Sequence, residues 1–255
     1  MLQIKNGQLI HADCLDAMRK MPDDSFKAIV TSPPYNLRNS SGGQGKGKKP
    51  NRMWKTDLMP VEGKGGYSDY DDNMPHDQYV AWQRDVISEC IRLLTPDGAF
   101  FYNHKWRIQN GRLQERYDIT HGFPLRQIII WERPGAIPQG HYKDGVMCFV
   151  PNIEVIYMFA KSKQFRIIKG KHSAGLVWRF APARGNPHSA PFPLELPMRC
   201  ISSVKGHQEG KVLDPFLGSG TTAVAAERLG CEWVGIEHSK EYCEMAAERI
   251  ENDTQ

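Results

Sequence analysis

An α/β fold, a mostly parallel sheet covered by helices on both faces, is what this sequence predicts. Three observations lead there. Short apolar runs of strand length alternate along the chain with longer runs of helical periodicity. Two of the apolar runs end in unusual turns: Thr31-Ser32-Pro33-Pro34-Tyr35, and Asp214-Pro215-Phe216-Leu217-Gly218-Ser219-Gly220. The length of 255 residues suits one such domain with a substantial core.

Taken in order, the first strand is expected at 28–31, where Ala28-Ile29-Val30 runs into Thr31. Further short apolar runs place strands at 99–103, 127–131, 153–160, 211–214 and 232–236. Amphipathic runs place helices at 14–21, 76–94, 194–204, 221–229 and 240–251. The helix at 76–94 lines Tyr79, Trp82, Val86, Ile87 and Cys90 along one stripe. Thr95-Pro96-Asp97-Gly98 is the turn that ends it, because proline cannot continue a helix and Asp-Gly favours a turn. No internal repeat is visible.

Two stretches interrupt the alternation. Residues 39–75 are glycine-rich and polar, with Ser40-Ser41-Gly42-Gly43 followed by lysines and an acidic cluster at Asp69 to Asp72. Such a composition does not pack, so a mobile loop is expected. Residues 161–187 mix Lys161, Lys163, Arg166, Lys169, Lys171, Arg179 and Arg184 with Phe165, Trp178 and Phe180. Basic residues with interleaved aromatics suit a nucleic-acid surface, and a solvated surface hairpin fits equally well.

A net charge of +4 neither demands nor excludes a nucleic-acid partner. It is concentrated where Lys46, Lys48, Lys49, Arg52 and Lys55 crowd together. The cysteines at 14, 90, 148, 200, 231 and 243 form no Cys-x-x-Cys pair, which disfavours a zinc ribbon or a redox dithiol. No signal peptide is read at the start of the chain, so six reduced thiols in a cytoplasmic protein are expected. No apolar run approaches the roughly 18 residues needed to span a membrane.

The second turn has the features of a cofactor site. Glycines let the backbone turn sharply and approach a ligand with no Cβ in the way. The helix that follows offers free N–H groups, with Thr221 or Thr222 as its cap, and these favour a carboxylate. Asp214 can answer an ammonium group. Glu237 closes the next strand about 20 residues on, where an acid accepts hydrogen bonds from ribose hydroxyls. A tight turn without function would share the glycines but has no need of Glu237. A dinucleotide site lacks its third glycine here. Gly42 to Lys48 imitates a phosphate loop but has Lys49 where Ser or Thr must stand.

The first turn suits a planar base. An exocyclic amino group is a poor nucleophile because its lone pair is delocalised into the ring. Ser32 Oγ and the Pro33 carbonyl can accept its two N–H bonds and turn the lone pair toward a methyl donor, with Pro34 stiffening the turn. Tyr35 can stack on the ring, a contact of ~1–3 kcal/mol. A base in a duplex reaches such a pocket only by flipping out. A rigid surface turn with Tyr35 packed on a neighbour is the competing reading.

Together these segments resemble the DNA N6-adenine/N4-cytosine amino-methyltransferases of permuted motif order, in which the Asp/Ser/Asn-Pro-Pro-Tyr motif precedes the cofactor motif. His11-Ala12-Asp13-Cys14-Leu15 is similar to that family's Gly-Asp-Cys-Leu segment, and His188-Ser189-Ala190-Pro191-Phe192-Pro193 to the segment before its cofactor strand. The resemblance covers roughly residues 1–38 and 76–251. It implies one open, seven-stranded, Rossmann-like methyltransferase domain over residues 1–255 whose last hairpin is antiparallel. It implies S-adenosylmethionine as methyl donor and double-stranded DNA as partner, with a homodimer compatible and no metal. Cofactor contacts are then expected from Asp13, Cys14, Thr31, His188, Pro191, Phe192, Asp214, Pro215, Phe216, Gly218, Ser219, Gly220, Thr221, Thr222 and Glu237. DNA contacts are expected from Lys46, Lys48, Lys49, Arg52, Lys105 and Arg179. Asn103 and His104 would border the site. Ser32 leans toward cytosine N4, whereas Asn36 after Pro-Pro-Tyr is common among adenine enzymes, so adenine N6 is favoured with cytosine N4 as the alternative. RNA or protein acceptors, or a silent DNA-binding relative, are the further alternatives.

Overall fold

The computed structural model describes residues 1–36, 74–109, 112–134, 152–168, 175–183, 192–204 and 210–253. In chain order the elements are β1 (Leu2–Ile4), β2 (Gly7–His11), α1 (Cys14–Met18), β3 (Phe26–Thr31), α2 (His76–Leu93) and β4 (Leu94–His104). They continue with β5 (Arg107–Gln109), β6 (Arg112–Gln114), α3 (Tyr117–Thr120), β7 (Leu125–Glu132), β8 (Ile153–Phe159) and β9 (Val177–Arg179). The chain closes with α4 (Glu195–Val204), β10 (Val212–Asp214), α5 (Thr221–Arg228), β11 (Trp233–Glu237) and α6 (Lys240–Asn252).

The main sheet has the order β1-β2-β11-β10-β3-β4-β8-β7-β9, while β5 and β6 form a separate small ribbon. Five junctions of the main sheet are parallel, β2 with β11, β11 with β10, β10 with β3, β3 with β4, and β7 with β9. The hairpin of β7 and β8 is antiparallel, as is the junction of β8 with β4. Among the described residues the strand count of this sheet is nine rather than the expected seven. The seven central strands carry the fold, and the additions are two three-residue edge strands, β1 and β9. Edge strands this short have too few residues to show an apolar pattern. β2, Gly-Gln-Leu-Ile-His, escapes for a related reason: it pairs with a strand at the other end of the chain, Gly7 opposite Trp233.

Period-two alternation divides the core into two layers. Ala28, Val30, Phe101 and Ile156 face one side and pack with Leu196, Ile201, Ala225, Ala246 and Ile250 of α4, α5 and α6. Ile29, Phe100, Tyr102, Tyr157 and Leu213 face the other and pack with Met18, Tyr79, Val86, Ile87, Cys90 and Leu93 of α1 and α2. The stripe expected on α2 is buried, with Trp82 packed at its margin. Residues Thr95 to Gly98 form an excursion rather than a chain break. Phe26 pairs with Leu94, and the ladder resumes with Ala28 opposite Ala99. The described cysteines, 14, 90, 200, 231 and 243, are free and buried. Among the described residues no helix is long and apolar enough to cross a membrane.

The parallel strands β2, β11, β10, β3 and β4 end on one edge of the sheet. Their last residues are His11, Glu237, Asp214, Thr31 and His104. Ligands bind open α/β sheets at this carboxyl edge. The backbone there is tightly fitted. A Cβ on Gly235 would lie 2.5 Å from Leu217 Cδ2 and 2.9 Å from its Cγ. Gly235→Ala is therefore expected to destabilise the protein by ~1–3 kcal/mol through overpacking against the glycine turn. Urea unfolding measures it, and an unchanged midpoint and slope would show that Leu217 yields freely.

Candidate active site

The glycine turn leaves β10 at Asp214, which is 1 % exposed. Its Oδ1 accepts from Thr31 Oγ1 at 2.7 Å and from the Phe216 N–H at 3.0 Å, and its Oδ2 accepts from Thr222 Oγ1 at 2.6 Å. The carboxylate thus ties three elements together, β3 through Thr31, its own turn through Phe216, and α5 through Thr222. Burial raises its pKa from 3.8 to about 6, the bonds from Thr222, Thr31 and Phe216 pull it back, and the charge of Glu237 adds to the rise. A carboxylate offers about four lone pairs, so one acceptor position is left for a ligand.

Gly218 and Gly220 have φ of +52° and +83°, in the left-handed region that glycine tolerates. Gly220 is the N-cap of α5, and that helix end has no side-chain cap. Neither Thr221 nor Thr222 caps the helix, contrary to expectation. Both are its first helical residues, and their hydroxyls are turned to Arg249 and Asp214. Arg249 Nη1 also donates to Ser219 O at 3.0 Å and Ser219 Oγ at 3.1 Å, pinning the turn to α6. The free N–H groups of the first turn of α5 are left for a ligand.

Glu237 clamps the same turn from β11. Its Oε2 accepts from the Gly218 N–H and its Oε1 from the Ser239 N–H, both at 2.8 Å. The Ala12 N–H donates to Glu237 O at 3.1 Å, which sets Asp13 beside Glu237. Asp13 caps α1 by accepting from the Leu15 and Asp16 N–H groups. Cys14 is buried in the core, and burial pushes its thiol far above the ordinary range. Its side chain is therefore packing. Phe216 is half-buried with its ring edge-on to Trp82 of α2 at 5.7 Å, forming a wall between turn and helix. Phe192 packs at the margin of the core under α4. His188 and Pro191 lie outside the described residues, as do Lys46, Lys48, Lys49 and Arg52.

The Ser-Pro-Pro-Tyr turn begins one residue after Thr31, so the Thr31–Asp214 bond brings the two turns side by side. Ser32 Oγ and Tyr35 Oη share a hydrogen bond of 2.7 Å. Asn103 Nδ2, at the end of β4, donates toward Tyr35 Oη at 2.9 Å, Glu154 Oε2 at 2.9 Å and Ser32 Oγ at 3.3 Å. Tyr35 Oη donates to Glu154 Oε2 at 3.3 Å, and Arg133 Nη1 pairs with Glu154 Oε1 at 3.2 Å. From α2, Tyr79 Oη donates to the Pro34 carbonyl at 2.8 Å and lies 2.9 Å from His104 Nε2. Tyr79 gives its one hydrogen to the Pro34 carbonyl, so His104 Nε2 donates to Tyr79, while His104 Nδ1 lies 2.8 Å from Lys105 N and 3.1 Å from Lys105 O. The imidazole stacks on Tyr35 at 4.6 Å between centroids. Asn36 has φ of +55° and is buried, with its Nδ2 donating to Met74 O at 2.7 Å, so it fixes the exit of the turn.

Lys105 borders this cluster. Burial pushes its amine down, Arg133 adds to that, and Glu154 opposes it. Arg179 stands elsewhere. It is on β9, the outermost strand, exposed and paired with Glu132 at 2.8 Å. Sequence reading missed Glu154, Arg133 and Tyr79 as members of the site. Glu154 left one signal: it is a lone acid in the apolar run Ile153–Phe159, and an acid placed there needs partners. Tyr79 was indistinguishable from any other member of the buried stripe.

Known proteins share both the sequence pattern and the fold. A family model described as DNA methylase, for N6 and N4 methylation, matches residues 26–248. The Type II methyltransferase M.Cfr9I of Citrobacter freundii is 29% identical over 283 residues, spanning 99% of this chain and 90% of the relative. The Type II methyltransferase M.BglII of Bacillus subtilis is 26% identical over 275 residues, spanning 94% and 68%. The fold matches the structure of PvuII DNA methyltransferase (cytosine-N4-specific) with a TM-score of 0.71 at 20% identity, covering 99% of this chain and 88% of that one. It also matches TTHA0409 of Thermus thermophilus complexed with S-adenosyl-L-methionine, with a TM-score of 0.65 at 24% identity, covering 96% and 93%.

The raised pKa of Asp214 has a direct consequence for stability. A carboxyl whose folded value, about 6, lies above its ordinary 3.8 binds its proton more tightly in the folded chain. Its stabilising contribution is full below the unfolded value and is lost as pH rises through the folded one. Relative to Asp214→Asn, the ligand-free protein is expected to lose ~3 kcal/mol of stability between about pH 4 and pH 7. Urea unfolding of both proteins across that range measures the difference, in which all other titrating groups cancel. Parallel stability curves would show that Asp214 does not titrate there.

Proposed function

The chain belongs to the DNA methylase family whose model spans residues 26–248, and we propose that it methylates N6 of adenine in duplex DNA from S-adenosylmethionine. The observation that carries this reading is the 2.7 Å bond from Thr31 to Asp214, which sets a base-binding turn against a cofactor turn. The residues fit the methyl donor. Gly218 and Gly220 put no side chain in its way, the uncapped N-terminus of α5 receives its carboxylate, and Asp214 has one acceptor position for its ammonium. Glu237 receives the ribose hydroxyls, and Asp13 and Phe216 flank the adenine. The donor supplies an electrophilic sulfonium methyl.

The rest is done by side chains and backbone of this chain. Ser32 Oγ and the Pro33 carbonyl accept the hydrogens of the amino group and aim its lone pair. Tyr35, backed by His104, faces the ring of the flipped base. The acceptors act most strongly as positive charge grows on nitrogen, so their effect falls on the chemical step. Lys105 stands at the site's border to meet the DNA, and the basic stretch from Lys46 to Arg52 holds phosphates. No enzyme nucleophile is needed: the described cysteines are buried, and none flanks Ser32.

Cytosine N4 is the second reading. Ser32 in the first motif position favours it, and so does the likeness to the cytosine-N4-specific PvuII enzyme. Mass spectrometry of nucleosides from duplex DNA methylated with labelled cofactor separates the two. N6-methyladenine is expected, N4-methylcytosine would replace the first reading with the second, and label in neither would overturn both. Ser32→Ala is expected to slow single-turnover methylation by ~10²-fold with little change in DNA affinity, the scale for losing one preorganised polar contact to developing charge.

Glu237→Ala is expected to weaken cofactor binding by ~1.5–3 kcal/mol, the range for hydrogen bonds to a charged group. Calorimetry reads it, and unchanged affinity would remove Glu237 from the cofactor site.

A further inference from the structure

The polar cluster behind Ser32 has a direction. Glu154 as a carboxylate can only accept hydrogen bonds, so Tyr35 Oη is the donor in their 3.3 Å contact. Tyr35 Oη must then accept from its 2.7 Å neighbour, so Ser32 Oγ donates to Tyr35. Asn103 Nδ2 adds its hydrogens to the same cluster, 2.9 Å from Tyr35 Oη and Glu154 Oε2 and 3.3 Å from Ser32 Oγ. With that contact made, the hydrogens of the chain Ser32–Tyr35–Glu154 run toward the carboxylate. The remaining lone pair of Ser32 Oγ is left facing outward as an acceptor.

We propose that Glu154, a residue of β8 with no part in either sequence motif, sets Ser32 as an acceptor and takes the proton released by methyl transfer. The proposal rests on the reading of Ser32 as the amino-group acceptor. Glu154 is suited to this place. Its side chain is 12 % exposed, Arg133 holds its Oε1 at 3.2 Å, and Oε2 accepts from Asn103 Nδ2 at 2.9 Å and faces Tyr35 Oη at 3.3 Å. Among the described residues, Lys105 after β4 and Arg133 after β7 are the charged groups that face it, and Asn103 and Tyr35 are its neutral partners.

The proton balance closes without any further reactant. The amino lone pair forms the bond to the methyl carbon, the carbon–sulfur bond breaks, and its electrons remain on sulfur as a neutral thioether. The nitrogen is left positively charged, and its N–H becomes strongly acidic because the ring reclaims the lone pair once that proton leaves. That proton moves to Ser32 Oγ, the Ser32 hydrogen to Tyr35 Oη, and the Tyr35 hydrogen to Glu154 Oε2. Both hydroxyls end as they began, and the carboxylate ends protonated.

Glu154→Gln keeps the shape and removes the charge. In single-turnover methylation of duplex DNA it is expected to lower the rate by ~10²-fold or more, the usual scale for a proton-transfer group. It is also expected to abolish the solvent deuterium isotope effect that a proton relay predicts for wild type. Cofactor affinity by calorimetry should be unchanged, which separates this from misfolding. A readout independent of turnover is the ¹³C resonance of Tyr35 Cζ in the cofactor-free protein. It should shift in Glu154→Gln, because the carboxylate that faces the Tyr35 hydroxyl is gone. Wild-type rate and isotope effect in Glu154→Gln, or a Tyr35 resonance indifferent to the substitution, would overturn the relay. If Ser32→Ala keeps full rate as well, the reading of the turn itself fails. If Ser32→Ala is slow while Glu154→Gln is not, only the relay fails.

Discussion

The buried carboxylate of Asp214 is the constraint on which the rest of this molecule depends. It accepts from Thr31 on one strand, from Thr222 on a helix and from its own turn at Phe216. Thr31 and Asp214 are 183 residues apart in sequence. Adjacent parallel strands bring them within reach, because β10 and β3 pair as Leu213 with Ile29. Losing one partner of such a buried group costs ~1–3 kcal/mol, and here it would also release one turn from the other. The same burial that makes the bond strong raises the pKa of Asp214 to about 6, so the junction carries an electrostatic cost of its own.

Around that junction each functional group is held by a bond from a different element. Gly218 is held by Glu237 of β11, Ser219 by Arg249 of α6, Pro34 by Tyr79 of α2, and Ser32 and Tyr35 by Asn103 of β4. This is how a site made of turns acquires the precision of a scaffold. Group transfer is sensitive to displacements of about 1 Å, and short turns held only by their own backbone would not meet that tolerance. Both turns also use conformations that need such support. Gly218 and Gly220 are left-handed, and so is Asn36, a non-glycine residue whose side chain is anchored to the Met74 carbonyl.

The two halves of the site differ in electrostatic character. Around the glycine turn, carboxylates accept from backbone N–H groups and threonine hydroxyls beside the uncapped N-terminus of α5. Around the Ser-Pro-Pro-Tyr turn, neutral oxygens are lined up between an amide donor and a carboxylate. His104 stacks on Tyr35 and is itself held by Tyr79 of α2. Low local polarity makes such hydrogen-bond chains stronger and their direction more consequential.

The sequence by itself determined the α/β class, the main helices, and both turns, because these follow from short-range rules. Apolar runs such as Ala28-Ile29-Val30 and the α2 stripe appear in any reading of periodicity. Proline and glycine announce turns whatever surrounds them. Asp214 and Glu237 were legible as candidate site residues from their places at strand ends. Their partners were not. That Thr222 serves Asp214 rather than capping α5, that Glu237 clamps Gly218, and that Cys14 is packing are outcomes of strand order and burial. The edge strands and β2 were invisible because they are short and their pairing is decided outside their own residues. Glu154 and Tyr79 meet Ser-Pro-Pro-Tyr only because β8 lies beside β4 and α2 packs against the turn. A hydrogen bond depends on three-dimensional proximity to within a few tenths of an ångström, and no local pattern of residues encodes that.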